Sequence, residues 1–328
     1  MTTDVISVVI PTYQRRAAVE RALTALGAQT IPATAYEVIV AIDGSDDGTR
    51  EMVSAFPAPY RLHAVWQPNR GRAAACNAGV RAASGDLVVL LDDDMEAAPA
   101  LLAAHKRAHG TAPARAVIGA APVVPDDPTY PLAEFIRAGF ARRLAKLARD
   151  DCTIRFNDVY TGNFSIRRET LLSVGAFDED FRHYGHEDYE LAVRLLEARV
   201  ELRYSADAVA YHHYDKNLAA VARDSIGRGR NDVLFGGKHP EVRAHLRLVG
   251  GRGSRPRRLL RGALLALSRV LPTIPQWTLA FVQSLERRRA RGLDRYYDFL
   301  LDYFYWLGAT AAVRERRKPA LDAAARVK

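Results

Sequence analysis

The stretch Val88–Glu96, "VVLLDDDME", joins an aliphatic run directly to three aspartates. An uninterrupted apolar run of this kind is typical of a strand that is buried on both faces, as in a parallel sheet. Three adjacent carboxylates repel one another and need water, a counter-charge or a cation. The stretch therefore predicts a central strand whose C-terminal end carries a polar site.

Apolar runs alternate with a helical pattern on the N-terminal side of this strand. Val5–Ile10 and Val38–Ile42 are mostly β-branched runs, and Arg15–Gln29 between them has helical spacing. Such alternation predicts an α/β fold with a Rossmann-like, mostly parallel sheet flanked by helices. Ligands bind beyond the carboxyl ends of strands in such sheets, where we expect Asp43 and Asp92–Asp94.

The second half of the chain is less regular. Leu132–Ala148 and Asp188–Ala198 have helical patterns, and Val200–Tyr204 and Ala208–Tyr211 are predicted as two separate strands. The composition changes at Gly250, where a glycine- and arginine-rich link precedes further helical segments. We therefore predict one large α/β domain over 1–249 and a basic, aromatic-rich helical extension over 250–328.

Positive charge is concentrated in that extension. The chain of 328 residues has a net charge of +9, and residues 250–328 hold 17 lysines and arginines against 6 acidic residues. The remaining residues are slightly acidic, so a partner that recognises basic charge would have to bind the extension. Only two cysteines occur, and the N-terminus has no basic region before its short apolar run. These features predict a reducing, cytoplasmic location without a signal peptide.

Clustered carboxylates at the end of a strand suit a divalent cation. Mg²⁺ and Mn²⁺ prefer carboxylate oxygens and commonly share them with substrate phosphates. Side-chain alternation along a continuing strand would place Asp92 and Asp94 on one side and Asp93 on the other. The triplet alone fits a cation site as well as it fits a turn or the N-cap of a helix that starts near Ala97.

Five motifs in a fixed order extend the pattern from Ile6 to His213. They are "VVIPTYQR", "VAIDGSDDGT", "NRGRAAACNAGVRAASGDLVVLLDDD", "TGNFSIRRETLLSVGAFDEDF" and "GHEDYELAVRL". By this series the chain resembles family 2 of the nucleotide-sugar-dependent glycosyltransferases, which have the GT-A fold. The resemblance implies an inverting, metal-assisted transfer of a sugar from a UDP-, GDP- or dTDP-sugar to a hydroxyl acceptor. That acceptor would be a glycan, a lipid-linked glycan or a small molecule.

The resemblance also implies roles for individual residues. The nucleotide-sugar site would comprise Pro11, Thr12, Tyr13, Arg15, Asp43, Asn69, Gly71, Arg72, Asp92 and Asp93. Mn²⁺ or Mg²⁺ would be held by Asp94 and Asp92, with His212 and His213 near the metal or the diphosphate. Relatives usually have two aspartates where this chain has Ile42 and Asp43, so one acidic position near the base is absent.

A hydroxyl acceptor needs a carboxylate that takes its proton as the anomeric bond breaks. Glu187 and Asp188 begin a predicted helix, where the helix dipole favours the ionised form. By the resemblance, Asp188 is the base and Glu187 contacts the acceptor. Helix capping is the alternative role, and it is compatible with catalysis.

The extension has two interpretations. Its arginine clusters, with Trp277, Tyr303, Tyr305 and Trp306, suit the surface of an anionic membrane, which would place the protein at the inner face of the membrane. Alternatively, 296–307 is a packing helix or a contact in a homo-oligomer.

Two other classes of function are alternatives to a glycosyltransferase. A non-catalytic membrane- or nucleic-acid-binding protein would use the extension, but the first 249 residues are acidic and carry no nucleic-acid-binding motif, so we expect no nucleic-acid partner. A nucleotidyltransferase would need an early glycine-rich phosphate loop, which "PTYQRRAAVE" lacks.

Overall fold

The computed structural model describes residues 5–110, 114–125, 127, 129–249 and 253–325. The strands are β1 (Ile6–Thr12), β2 (Tyr36–Asp43), β3 (Arg61–Gln67), β4 (Leu87–Leu91), β5 (Met95–Ala97), β6 (Arg115–Ala120), β7 (Val123–Pro125), β8 (Asn163–Arg167) and β9 (Glu201–Tyr214). The helices are α1 (Arg16–Leu26), α2 (Thr49–Ala55), α3 (Arg72–Ala82), α4 (Leu101–His109), α5 (Pro131–Leu147), α6 (Arg168–Ser173), α7 (Glu187–Glu197), α8 (Leu218–Lys238), α9 (Arg255–Val270), α10 (Ile274–Arg287) and α11 (Leu293–Ala325).

The strands form one mixed sheet in the order β3-β2-β1-β4-β8-β6-β9-β5, with β7 beside β9. The first four are parallel, and β8 runs antiparallel to both β4 and β6. β1, β2 and β4 are buried throughout because their branched aliphatic side chains are covered on both faces. The predicted α/β fold with a mostly parallel sheet is confirmed, and β1, β2 and β4 end at the same edge.

The two strands predicted at Val200–Tyr204 and Ala208–Tyr211 are in fact one strand, β9. Its register against β6 shifts between Gly119, which pairs with Ser205, and Ala120, which pairs with Val209. The extra residues of β9 interrupt its regular pairing with β6. In the sequence this irregularity looks like a gap between two strands. As a result β9 extends to Tyr214 and brings His212 to the edge where β4 ends.

The described residues belong to two compact units. The first comprises Met1–Pro128, Ile136–Arg182 and Glu187–Asp215 and contains the whole sheet. The second comprises Thr129–Phe135, His183–His186 and Lys216–Lys328. The predicted boundary at Gly250 stays a prediction, and the second unit also includes α8, which precedes that residue.

Within the second unit, α8 and α11 approach each other at two glycines. A Cβ on Gly308 would overlap the backbone oxygen of Ile226, and a Cβ on Gly229 would overlap that of Tyr305. Backbone atoms cannot yield to a methyl group without separation of the two helices. The glycines are therefore required for this helix pair, although glycine normally weakens a helix.

We expect Gly308→Ala to lower the free energy of unfolding by about 3 kcal/mol, because the added methyl group forces α8 and α11 apart. The measurement is urea denaturation followed by circular dichroism. Gly262→Ala is the matched control, since a Cβ on Gly262 in α9 meets nothing within 4 Å. That control should raise stability by up to about 1 kcal/mol through helix propensity alone. Equal effects of the two substitutions would contradict the close approach.

Two aromatic residues predicted at a membrane interface are buried instead. Tyr303 is 0% exposed and Tyr305 is 1% exposed, because α11 packs them against α8 and α9. Trp306 is partly buried, whereas Trp277 on α10 is 61% exposed. For 303 and 305 the packing-helix interpretation is therefore correct. Among the described residues, no helix has both the length and the hydropathy needed to cross a bilayer.

Candidate functional site

Asp43, at the end of β2, holds the following loop in place. Its Oδ1 accepts hydrogen bonds from Gln67 Nε2 at 2.7 Å and the Arg70 backbone N–H at 2.9 Å, and its Oδ2 accepts one from the Gly71 N–H at 2.8 Å. The side chain is 3% exposed. Asp43 therefore fixes the Asn69–Gly71 loop beside the ends of β1 and β4, while its predicted contact with a base stays a prediction.

Gly71 permits the turn from this loop into α3. Its φ of +93° is disfavoured for residues with a Cβ, and an added Cβ would lie 3.4 Å from the Arg182 backbone. The turn directs Arg72, the first residue of α3, toward the carboxylates at the end of β4. The glycine thus determines where the guanidinium of Arg72 lies.

Arg72 joins four polar groups from distant parts of the chain. Its Nη2 donates to Asp92 Oδ1 at 2.6 Å, and its Nη1 donates to Thr161 Oγ1 at 3.0 Å and lies 3.4 Å from both Glu187 Oε1 and Asp188 Oδ1. Burial alone would lower the pKa of Arg72, but the nearby carboxylates outweigh it and raise the pKa above its ordinary value. Arg72 therefore remains a cation and links the predicted donor side to the predicted catalytic pair.

The catalytic pair predicted at the start of α7 has two different environments. Asp188 Oδ1 accepts a hydrogen bond from Thr161 Oγ1 and is partly accessible. Glu187 is 5% exposed, and burial together with the charge of Asp188 raises its pKa from 4.5 to about 7. Glu187 Oε2 is buried and has no hydrogen-bond partner among the described residues. One carboxylate is thus solvated and oriented, while its neighbour tends to keep a proton.

The three aspartates after β4 do not alternate as a strand would. β4 ends at Leu91, and Asp92 begins a turn that is closed by a hydrogen bond from the Met95 N–H to the Asp92 carbonyl at 3.1 Å. Asp92 contacts Arg72, whereas Asp93 and Asp94 both face Arg15. The predicted grouping of Asp92 with Asp94 against Asp93 is therefore wrong, because the strand stops before the triplet.

Arg15 lies among three carboxylates. Its Nε is 3.1 Å from Asp93 Oδ1, and its Nη2 is 3.6 Å from Asp94 Oδ2 and 3.2 Å from Asp215 Oδ2. Burial would lower the pKa of Arg15, but these carboxylates raise it. Asp93 is 7% exposed and accepts a hydrogen bond from Thr12 Oγ1 at 2.7 Å. Burial and Asp94 raise the pKa of Asp93 to about 7, although Arg15 opposes that change.

The two predicted histidines point to different partners. His212 Nε2 lies 3.6 Å from Asp94 Oδ2, and His213 Nε2 lies 2.6 Å from Glu96 Oε2. Neighbouring side chains on β9 point to opposite faces, so one strand cannot deliver both to Asp94. The structure brings His212 to the end of β4 and leaves the side chain of His213 with Glu96.

The chemistry of Asp94 and His212 suits the divalent cation that the resemblance implies. A carboxylate oxygen and an imidazole Nε2, here 3.6 Å apart, are ligand types that Mn²⁺ accepts. His212 Nδ1 is buried without a hydrogen-bond partner among the described residues, and Phe140 packs edge-on to the ring at 5.3 Å. The ring is therefore held by packing, with its Nε2 directed at Asp94.

The remaining predicted residues lie around these groups. Pro11 and Thr12 are buried at the end of β1, and the Tyr13 and Asn69 side chains are exposed. No role was predicted for Thr161, Gly162 or Asp215, although Thr161 and Gly162 begin the fourth of the quoted motifs. Gly162 matters because a Cβ there would lie 2.5 Å from Asp92 Oδ2. The unusual "TG" before β8 was the signal that could have identified the first two.

Parts of the sequence match known protein families. The sequence model described as glycosyl transferase family 2 matches residues 7–174, and the one described as the N-terminal domain of galactosyltransferase matches 142–216. A validoxylamine A glucosyltransferase of Streptomyces hygroscopicus subsp. jinggangensis is 35% identical over 217 residues, covering 58% of this chain and 51% of that protein. A chondroitin synthase of Escherichia coli is 29% identical, covering 64% and 34%. The chain thus spans about half, or less, of these relatives.

Solved structures share the fold at low sequence identity. A mannosyltransferase from Pyrobaculum calidifontis, in complex with GDP-Man and Mn²⁺, superposes with a TM-score of 0.61 at 20% identity, covering 94% of this chain and 86% of that one. Staphylococcus aureus TarS 1–349 in complex with UDP-GlcNAc gives 0.52 at 15% identity, covering 91% of each chain. Both likenesses establish the GT-A fold.

Proposed function

The chain belongs to glycosyl transferase family 2, and from that premise we propose that it transfers a sugar from a nucleoside-diphosphate donor to a hydroxyl acceptor with inversion. One observation carries the proposal: Arg72 contacts both Asp92, at the end of β4, and the Glu187–Asp188 pair at the start of α7. A donor held at the sheet edge would therefore lie next to a candidate base. Family membership also disfavours a nucleotidyltransferase or a non-catalytic binding protein.

The donor would bind along the ends of β1, β2 and β4. In this proposal Pro11, Thr12 and the exposed ring of Tyr13 contact the base and ribose, and Asp43 presents the loop with Asn69 and Gly71. Arg15 and Arg72 offer positive charge to the diphosphate, since guanidinium groups pair with phosphate oxygens in a fixed geometry. Ile42 is fully buried in β2, so the position that is acidic in relatives is apolar here.

Asp94 and His212 would hold Mn²⁺ or Mg²⁺, together with Asp92 or Asp93. When bound, the cation supplies Lewis-acid stabilisation of the negative charge that develops on the departing nucleoside diphosphate. Arg15 lies beside both Asp93 and Asp94, and its positive charge lowers their mutual repulsion. His213 is the less suitable ligand because its ring contacts Glu96.

Asp188 would accept the proton of the acceptor hydroxyl. Thr161 and Arg72 both contact Oδ1, an arrangement that orients the carboxylate toward the acceptor side. The acceptor oxygen then attacks the anomeric carbon opposite the leaving group, so the configuration inverts and no carboxylate nucleophile is needed. Protonated Glu187, with its unpartnered Oε2, would donate a hydrogen bond to the acceptor.

The direct test of donor binding is a thermal-shift panel of UDP-, GDP- and dTDP-sugars, each with and without Mn²⁺. The panel includes GDP-mannose and UDP-N-acetylglucosamine, the donors bound in the two structural relatives. We expect one base class to raise the melting temperature only when Mn²⁺ is present. The absence of any shift across the whole panel would refute the proposed donor site.

The raised pKa of Glu187 predicts a pH-dependent cost to stability. Its folded pKa is about 7 against an ordinary 4.5, so its contribution to stability is lost as the pH rises through about 7. We expect Glu187→Gln to be more stable than the wild type above pH 7 by about 2 kcal/mol, measured by urea denaturation. Glu51→Gln, at an exposed position in α2, is the control and should leave the pH dependence unchanged. If the free energy of unfolding depended on pH in the same way for Glu187→Gln and the wild type, the raised pKa of Glu187 would be contradicted.

A further inference from the structure

Helix α9 in the second unit packs against the protein with its polar side and not with its apolar side. Its Arg261 Nη1 lies 2.7 Å from Asp302 Oδ2, its Arg257 Nη2 donates to the Asp298 carbonyl at 2.8 Å, and its Ser268 Oγ lies 2.6 Å from the Tyr303 hydroxyl. Asp298, Asp302 and Tyr303 all belong to α11. The helix is thus attached to α11 through its polar side, and Arg261 is its only buried residue.

The opposite side of α9 is apolar and exposed. Leu259 and Val270 are 75% and 77% exposed, and Leu260 and Leu267 are 54% and 43% exposed. With 3.6 residues per turn, these positions and Ala263 fall on one stripe that contains no charged residue. Surface helices normally pack such a stripe against the core. Because the stripe of α9 is exposed, we expect it to contact an apolar environment outside the protein core.

Helix α10 also exposes two large aromatic side chains. Trp277 is 61% exposed and Phe281, one turn later, is 57% exposed. Phe281 also contacts the ring of Tyr296 edge-on, with 6.3 Å between the ring centroids. We define the α9–α10 face as Leu259, Leu260, Leu267, Val270, Trp277 and Phe281. Exposed apolar side chains in this number mark an interaction surface rather than ordinary surface variation.

The charge around this face is mainly positive. Between Gly253 and Arg295 the sequence has ten arginines and two acidic residues. Arg255, Arg258 and Arg269 are exposed on α9, and Arg287–Arg289 are exposed where α10 ends. On a helical projection the three α9 arginines border the apolar stripe on one side. Apolar side chains bordered by arginine are the pattern of a helix that lies in the interface of an anionic membrane.

A cavity of about 240 Å³ lies next to α9 in the same unit. Its lining is mainly apolar, with Trp306, Ala309 and Val313 from α11, and it also includes Arg269 and Arg314. An apolar recess that carries two guanidinium groups matches the chemistry of a phospholipid, which combines an acyl chain with a phosphate. The cavity therefore repeats, outside the α9–α10 face, the combination of apolar side chains with arginines.

We propose that the α9–α10 face docks onto the surface of a bilayer that contains anionic lipids. A second copy of the chain would bring two strongly positive surfaces together, whereas anionic headgroups neutralise the arginines as the apolar side chains enter the interface. The docking is peripheral. The inference depends on the second unit alone and does not require the proposed transferase activity.

The test is flotation of the purified protein with vesicles of phosphatidylcholine, with or without phosphatidylglycerol. We expect binding only when phosphatidylglycerol is present, and weaker binding as salt is raised, because each arginine near the surface contributes about fivefold. Trp277→Ser and Phe281→Ser should each weaken vesicle binding about tenfold through the loss of inserted apolar area. The fluorescence of Trp277 should be quenched by brominated lipid, and Trp277→Phe identifies that signal.

Trp66→Ser is the matched control, because Trp66 on β3 is 47% exposed but lies in the first unit. That variant should bind vesicles like the wild type. Equal binding to both kinds of vesicle, or no binding to either, would overturn the proposal. So would self-association, measured by light scattering, that Phe281→Ser abolishes while vesicle binding is unaffected. The salt and lipid dependence of the wild type decide the matter even if a variant fails to fold.

Discussion

Replacing Asp188 with asparagine is expected to slow sugar transfer by about a thousandfold, since general-base catalysis typically contributes a factor of this size. Asparagine keeps the shape of the side chain and its contacts with Thr161 and Arg72, but it cannot take the acceptor proton. The measurement compares kcat for the wild type and the variant, once a donor and an acceptor are known. Nucleotide-sugar affinity should change little, because Asp188 lies on the acceptor side.

Asp207→Asn provides the control for this experiment. Asp207 is exposed on β9 in the same unit, so the same chemical change there should leave kcat unaltered. A transfer rate close to that of the wild type in Asp188→Asn would show that another group is the base. Glu187 would then be the next candidate, since its pKa near 7 also suits proton transfer.

Asp94→Ala is expected to remove metal-dependent turnover, with a loss of at least about a hundredfold. The substitution deletes the carboxylate that lies 3.6 Å from His212 Nε2, and with it the anionic partner of a cation at the end of β4. Mn²⁺ binding to the protein, measured by electron paramagnetic resonance in the presence of nucleoside diphosphate, should weaken in parallel with turnover. An unchanged circular dichroism spectrum of the variant would separate loss of the metal from loss of structure.

Glu96→Ala is the matched control for Asp94→Ala. Glu96 is two residues away but pairs with His213 rather than His212. It should therefore keep its Mn²⁺ affinity and most of its turnover. If Glu96→Ala and Asp94→Ala lost metal equally, the assignment of His212 and Asp94 to the cation would be wrong.

The sequence was sufficient to predict the buried parallel strands of the sheet and the edge at which the candidate site lies. Runs such as Val38–Ile42 and Val88–Leu91 are apolar because both faces are covered, and parallel strands bring their carboxyl ends to one edge. The approximate positions of Asp43, Asp92–Asp94 and Asp188 follow from that rule and from the family motifs. Local pattern, topology and the family motifs therefore predicted where most of the candidate site residues lie.

Long-range partners were not predictable in the same way. Thr161 contacts Asp188, and Arg15 contacts Asp215 across 200 positions of sequence, by pairings that only the tertiary fold determines. The alternation expected for Asp92–Asp94 was also wrong, because β4 ends at Leu91 and the chain turns at the triplet. In α9 the apolar stripe is visible in the sequence, but periodicity cannot say that Arg261 rather than Leu260 faces the protein.

The central claim is that a sugar donor binds and reacts at the edge of the sheet. Release of nucleoside diphosphate tests this claim most directly. The wild type, Asp94→Ala and Asp188→Asn would each be incubated with UDP-, GDP- and dTDP-sugars and Mn²⁺, and free diphosphate would be measured over time. We predict slow release from one class of donor by the wild type, with water as the acceptor, and none above background from either variant. Release that persists in both variants, or no release from any donor by the wild type, would contradict the assignment.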